Sequence, residues 1–264
     1  VEPIVYECRP IALKRAVTLI LATAGGYAYT AVNTGTFLDM LDREAVAFYL
    51  ERSYGEMWRE FADEFGKTCV SVWVDEPSYS PRGLPWSRSL PGAFRRQWGY
   101  DLEPEAEALF RDVPNCATVR YHYWRIVREL LEHSYFVQVR DWCHAHGLLF
   151  SGHLMMEETL GSQLLRAGAT MPYYKYFDIP GIDVLTGETN WRFNPLPRRT
   201  PGVNFSQGLY STPLQCASAA NQAGRERVLA EMYGVTSENF GLREQKHMFD
   251  HFAALGINHR SVHG

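Results

Sequence analysis

The sequence predicts a parallel α/β protein of the (β/α)8 barrel kind, incomplete at its N-terminal side. Three observations lead there. Short apolar runs alternate with stretches of helical periodicity, which is the pattern of βαβ units. Acids and other polar residues gather where the apolar runs end. The long turn-rich excursions follow the runs and not the helices, as they do at the functional face of a barrel.

In chain order, residues 1–15 carry no clear period. Residues 16–22 (Ala-Val-Thr-Leu-Ile-Leu-Ala) form a candidate strand. The loose Gly25-Gly26 lacks the spacing of a phosphate-binding loop. Asp42 is placed to cap a helix. Ala45, Phe48, Tyr49, Met57, Trp58 and Phe61 give that helix an apolar stripe to about Phe65, and Gly66 stops it.

Residues 70–74 (Val-Ser-Val-Trp-Val) read as a short buried strand, rich in β-branched and aromatic residues. Pro77 cannot continue a central strand, so Asp75 and Glu76 fall at its C-terminal tip. In a parallel fold that is where ligands bind. Residues 77–114 are broken by Pro81, Gly83, Pro85, Pro91 and Gly92 and form a long excursion. It carries Trp86, Trp98 and Tyr100 as candidate sugar platforms, although packing of the loop on itself explains any one of them as well.

Residues 115–146 form the clearest helix, with Asn115 as its cap and Gly147 as its stop. Leu148 to His153 is the next strand and tip. A helix over 157–166 would follow, and an early start would put His153 and Glu157 on one face at i,i+4. Such a pair could hold a divalent cation; equally, Glu157 and Glu158 could simply complement a helix N-terminus. Residues 179–185 make another short strand, and 186–210 a polar loop. Ser211 or Thr212 would cap a helix that begins with Pro213. Residues 227–234 repeat the strand-then-acid pattern at Glu231, residues 236–255 form a helix, and residues 257–263 the last strand. That is six or seven strands, with one or two barrel strands missing on the N-terminal side or hidden in residues 1–15.

The chain has 264 residues, 46% of them hydrophobic, enough for one large α/β domain, and residues 1–264 are expected to form a single barrel. A net charge of −4 gives no basic footprint for nucleic acid. No run of about 18 apolar residues spans a membrane. Five scattered cysteines without CxxC spacing argue against a zinc knuckle or a disulfide scaffold. Nothing in the composition assigns a compartment. The opening on Val1, without Met or a signal-like segment, points to a missing N-terminus. A G-x-S-x-G elbow is absent, which disfavours a serine hydrolase, and the absence of a P-loop disfavours phosphoryl transfer. Asp75, Glu76, Glu157, Glu158, Asp183 and Glu231 remain as acids at strand ends. Two carboxyl groups facing each other over an aromatic cleft are the machinery of glycoside hydrolysis.

Val74-Asp75-Glu76-Pro77, Ser151-Gly152-His153 with Glu157-Glu158, Ile179-Pro180-Gly181-Ile182-Asp183, Ala230-Glu231-Met232-Tyr233-Gly234, and Leu255-Gly256-Ile257-Asn258 with His263 occur in that order. This ordered set resembles the catalytic barrel of the α-L-rhamnosidases of glycoside hydrolase family 106, over about residues 38–264. The resemblance implies an inverting, exo-acting glycosidase that takes α-L-rhamnosides. It also implies calcium near the site, no organic cofactor, and flanking domains in the parent protein. By position it makes Glu76 the general acid and Glu231 the first choice for the second carboxylate. Glu157 or Glu158 is the alternative, as water-activating base, with Glu157 also a calcium ligand. His153, Asp183 and His263 would bind sugar hydroxyls or order the acids, with Asp75, Trp86 and Tyr233 completing the sugar-binding set. Two other readings remain open. One is a carbohydrate-binding barrel without turnover. The other is a metal-dependent barrel hydrolase or isomerase with His153, Glu157 and Asp183 as ligands.

Overall fold

The structure is a computed structural model that describes residues 38–79, 84–183, 205–234 and 240–263, together with two N-terminal strands. The chain divides into two compact units, Val1–Asp39 and Met40–Gly264. In the first, β1 (Ile4–Cys8) pairs antiparallel with β2 (Ala16–Ile20). The strand within residues 1–15 therefore belongs to a hairpin and is not a parallel barrel strand.

The second unit is built on five parallel strands: β3 (Ser71–Val74), β4 (Leu149–Gly152), β5 (Ile179–Asp183), β6 (Leu229–Met232) and β7 (His259–Val262). Each strand pairs with the next in the chain, in the order β3-β4-β5-β6-β7. A doubly wound sheet would reverse its order at a switch point. This sheet never does, so it is a curled arc of a singly wound barrel, with β3 and β7 at its edges among the described residues.

The helices cover one face of the arc. Asp42 caps α1 (Arg43–Arg52) through its side chain, which accepts from the N–H groups of Glu44 and Ala45. Ser53 breaks the expected single helix here, and α2 (Tyr54–Phe61) and a 3-10 turn (Ala62–Glu64) complete it. The excursion after β3 holds α3 (Leu90–Trp98) and a 3-10 segment (Glu103–Leu109). The helix expected over 115–146 is continuous: α4 (Cys116–Leu131), a π turn (Glu132–Phe136) and α5 (Val137–Ala145). Asn115 stands at its N-cap position with φ 66°, but its side chain caps nothing.

The π turn rotates Glu132 inward, where it is 5% exposed. It meets Arg128, Lys175 at 2.9 Å and the Tyr176 hydroxyl at 2.5 Å. Phe136 stacks on Tyr173 and Phe150 on Phe177, all four fully buried. Each such ring contributes roughly 1.5–3 kcal/mol of burial. The helix after β4 is α6 (Leu160–Arg166), shorter than expected. Thr159 and Ser162 form a capping box that fixes its start, so Glu157 and Glu158 lie before the helix. His153 and Glu157 therefore do not share a helical face.

After α7 (Met171–Tyr174) and β5 comes α8 (Phe205–Gln222). Pro213 lies inside α8, so neither Ser211 nor Thr212 is its cap. Much of the expected 186–210 loop, residues 186–204, lies outside the described residues. The last helix, α9 (Leu242–Ala254), is the core of the one expected over 236–255, of which 236–239 also lie outside them. Cys69, Cys116, Cys143 and Cys216 are free. No helix among the described residues is long and apolar enough to cross a membrane.

Candidate active site

The tips of β3, β4, β5 and β6 converge on His153. Its ring is fully buried. Nε2 lies 2.7 Å from Glu231 Oε2 and 3.5 Å from Asp75 Oδ1. The imidazole reaches from β4 to Glu231 on β6, and between those strands β5 passes Gly181 close to both neighbours. A Cβ on Gly181 would stand 2.3 Å from Leu229 Cδ1 and 2.8 Å from the Gly152 carbonyl oxygen. The Trp73 ring, on β3, meets the imidazole edge-on at 5.5 Å. His263, just past β7, brings Nε2 to 3.9 Å from Glu231 Oε1. Glu231 thus stands between two histidines.

Glu76 approaches from the other side. It is hydrogen-bonded to the Asp183 side chain at the tip of β5. Burial pushes its carboxyl above the usual glutamate range. The charge of His153 and the Asp183 hydrogen bond oppose that shift, and the negative charges of Asp75 and Glu231 reinforce it. Its backbone is strained, with φ 49°, and Met156 (φ 54°) after β4 and Tyr233 (φ 75°) after β6 share that feature. Non-glycine residues in the left-handed region cost energy and concentrate at functional sites. Here three of them sit just beyond strand tips.

A buried imidazole thus lies beside two carboxyl groups, those of Glu76 and Glu231. One is pushed toward its neutral form, and the other is held by hydrogen bonding. A family model described as alpha-L-rhamnosidase, Glyco_hydro_106, matches residues 24–264. The chain belongs to glycoside hydrolase family 106. It is similar to the solved rhamnosidase from Novosphingobium sp. PP1Y, at 24% identity and a TM-score of 0.64. That match covers 87% of this chain and 21% of the rhamnosidase, so the chain spans about a fifth of that protein's length. The PgaB (BpsB) glycoside hydrolase domain from Bordetella bronchiseptica matches at 11% identity and a TM-score of 0.45, over 92% of this chain and 63% of that one. No curated protein matches.

The other residues expected at this family 106 site fall elsewhere. Glu157 is buried beneath the tips, with both oxygens taken. Oε1 accepts from the Leu154 N–H (3.1 Å) and the Tyr174 hydroxyl (2.8 Å), and Oε2 from the Asp183 N–H (3.0 Å). Burial pushes its carboxyl well above the usual range, against those donors. Glu158 packs its stem against Gly208 of α8, and its carboxyl is hydrogen-bonded to Ser162 of α6. Tyr233 donates its hydroxyl to the Gln245 carbonyl (3.1 Å) on α9. Trp86 is about half exposed on the loop after β3. Trp98 stacks on His122 at 3.7 Å and Tyr100 hydrogen-bonds the same ring at 2.9 Å, so both pack on α4.

Two groupings about His153 are tight enough to share a cation: Asp75, His153 and Glu231, and Glu76, His153 and Asp183, each with donor atoms within 4.8 Å. Neither is the cage of six to eight oxygens that calcium takes. Glu157 belongs to neither, and protein donors already occupy its oxygens. The sequence gives no role to Trp73, Gly152 or Gly181, although both glycines stand in the family-like motifs. Trp73 looked like strand core, and the glycines acquire meaning only from the register of the sheet.

Proposed function

We propose that this chain carries the acid/base centre of an inverting glycosidase, with a terminal α-L-rhamnoside as substrate. The observation that carries the reading is the meeting of Glu76 and Glu231 at one buried imidazole. Glu76, its carboxyl pushed above the usual glutamate range chiefly by burial, donates to the glycosidic oxygen as the bond to the anomeric carbon breaks. Glu231, hydrogen-bonded to His153, takes a proton from the water that attacks the opposite face. In an inverting enzyme the two carboxyl groups stand about 6.5–9.5 Å apart to leave room for that water. Asp75 and His263 lie beside Glu231 and suit sugar hydroxyls. Trp73 offers an apolar surface for the C–H face of the ring. Family membership supports the choice of sugar. The match to only 21% of the Novosphingobium rhamnosidase supports flanking domains in the parent protein.

A second reading rests on the two groupings around His153. One imidazole with two carboxylates is a donor set for a transition metal, so the site could serve a metal-dependent hydrolase. One experiment separates the two: a panel of nitrophenyl glycosides assayed before and after chelation, with the first-formed anomer read by proton NMR. Release of β-L-rhamnose from the α-rhamnoside, unaffected by chelation of transition metals, supports the glycosidase. Turnover abolished by chelation and restored by zinc or manganese supports the metal enzyme. Loss restored by calcium alone would instead place the calcium implied by the family resemblance outside the two groupings.

A further inference from the structure

Among the described residues Glu157 is an almost fully buried acid with both oxygens hydrogen-bonded, and the acid/base pair does not use it. Its two oxygens accept three hydrogen bonds, from the tip of β4 (Leu154), from the tip of β5 (Asp183) and from Tyr174 on α7. Its own carbonyl accepts from Gln163 Nε2 of α6 (2.8 Å) and Thr212 Oγ1 of α8 (3.3 Å). Both Glu157 and Tyr174 are almost fully buried. Burying a carboxyl group costs free energy, and a well-packed apolar residue would fill the same space without that cost. What an apolar residue could not do is accept the Asp183 N–H. Asp183 is the residue whose carboxylate lies with Glu76 and His153 in one grouping, its donor atoms within 4.8 Å of one another.

We propose that Glu157 is a positioning residue for the protonation step. It bolts the tip of β5 to the tip of β4, and so holds Asp183 at the distance from Glu76 that aims the acid's proton. The proposal rests on the glycosidase reading above. An isosteric change isolates the link. In Glu157→Gln one carboxylate oxygen becomes an N–H₂ that cannot accept, so whichever way the amide sits, either the Leu154 or the Asp183 N–H loses its acceptor and the tie between the two tips is broken.

The consequence depends on the leaving group. A rhamnoside with a poor, alkyl leaving group needs the proton, and a misplacement near 1 Å costs about 100-fold. A dinitrophenyl rhamnoside leaves without protonation and should lose no more than a few-fold. Glu157→Gln is therefore expected to lower turnover about 100-fold on the first and to spare the second. Asp183→Ala should show the same selectivity, and the double variant little further loss. Tyr174→Phe, which leaves the Asp183 link intact, should keep the wild-type ratio between the two substrates.

Equal losses on both substrates would overturn the proposal. If Glu157→Gln does not fold, the same equality in Asp183→Ala would overturn it. Hydrogen exchange at the Leu154 and Asp183 amides reads the link without any substrate. Faster exchange at either in Glu157→Gln supports the proposal even if the chain hydrolyses no rhamnoside. Unchanged protection at both rejects it even if the chain is an active glycosidase.

Discussion

Gly152 holds the two halves of the site together, and replacing it by Ala is the sharpest structural prediction. It ends β4 at φ 128°. A Cβ there would stand 2.1 Å from the Val74 carbonyl oxygen and 2.8 Å from the Val74 nitrogen. Both are backbone atoms of β3, in the register pair Val74↔Gly152, so no side-chain rotation relieves the clash. Separating the strands would break the bond from the His153 N–H to the Val74 carbonyl at 3.2 Å. It would also shift Asp75 and Glu76, the next two residues of that chain. Backbone strain of about 1–3 kcal/mol adds to overpacking of about 1–3 kcal/mol. For a unit of this size each kcal/mol lowers Tm by about 2–4 °C, so a fall on the order of 10 °C is expected.

Gly99→Ala is the control: φ is 80°, but no atom lies within 4 Å of the added Cβ. It should cost only the left-handed penalty of about 1–2 kcal/mol. Thermal and urea unfolding of both variants, with turnover measured beside them, would decide. A Gly152→Ala protein as stable as Gly99→Ala, with turnover intact, would refute the claim that close approach of β3 and β4 builds the site.

Other outcomes follow from the buried acids. Glu76 is raised above the ordinary range, so its proton is present below that raised value and lost as pH rises through it. The rate on a poor leaving group should therefore fall on the alkaline side, and Glu76→Gln should remove that limb from the pH–rate profile. Glu157 is raised as well, chiefly by burial. Its contribution to stability is fully present below the unfolded glutamate pKa and lost as pH rises through the folded value, so Glu157→Gln should flatten the alkaline fall of Tm. Glu132 runs the other way. Burial alone would raise it, but Lys175, Tyr176 and Arg128 together hold it below the usual range. Its contribution is lost as pH falls through that lowered value, and Glu132→Ala should cost about 3–5 kcal/mol in chemical denaturation by leaving Arg128 poorly paired.

Strand-by-strand order was legible in the sequence, because parallel strands read as short apolar runs and Pro77 marks where one of them stops. The long helix was legible too, since its stripe continues across the π turn at Glu132. The place of Glu157 was not. Its position turns on Thr159 and Ser162 capping each other, two small residues that shorten the helix by one turn. The start of α8 was misjudged because Pro213 usually opens a helix, whereas here it lies within one. Asp75, Glu76, His153, Asp183 and Glu231 could be named from strand ends, because strand ends are where a barrel gathers side chains, whereas His263 came with the family resemblance. Their pairing could not, because it depends on the register of β3, β4, β5 and β6 at their tips, which no local pattern records.

The most direct trial of the acid assignment is steady-state turnover of Glu76→Gln on an α-L-rhamnoside with a poor leaving group. Loss of a positioned acid should lower kcat by about 10²- to 10⁴-fold while KM moves only a few-fold. Wild-type turnover in that variant would contradict the assignment of Glu76 and the hydrolytic mechanism built on it.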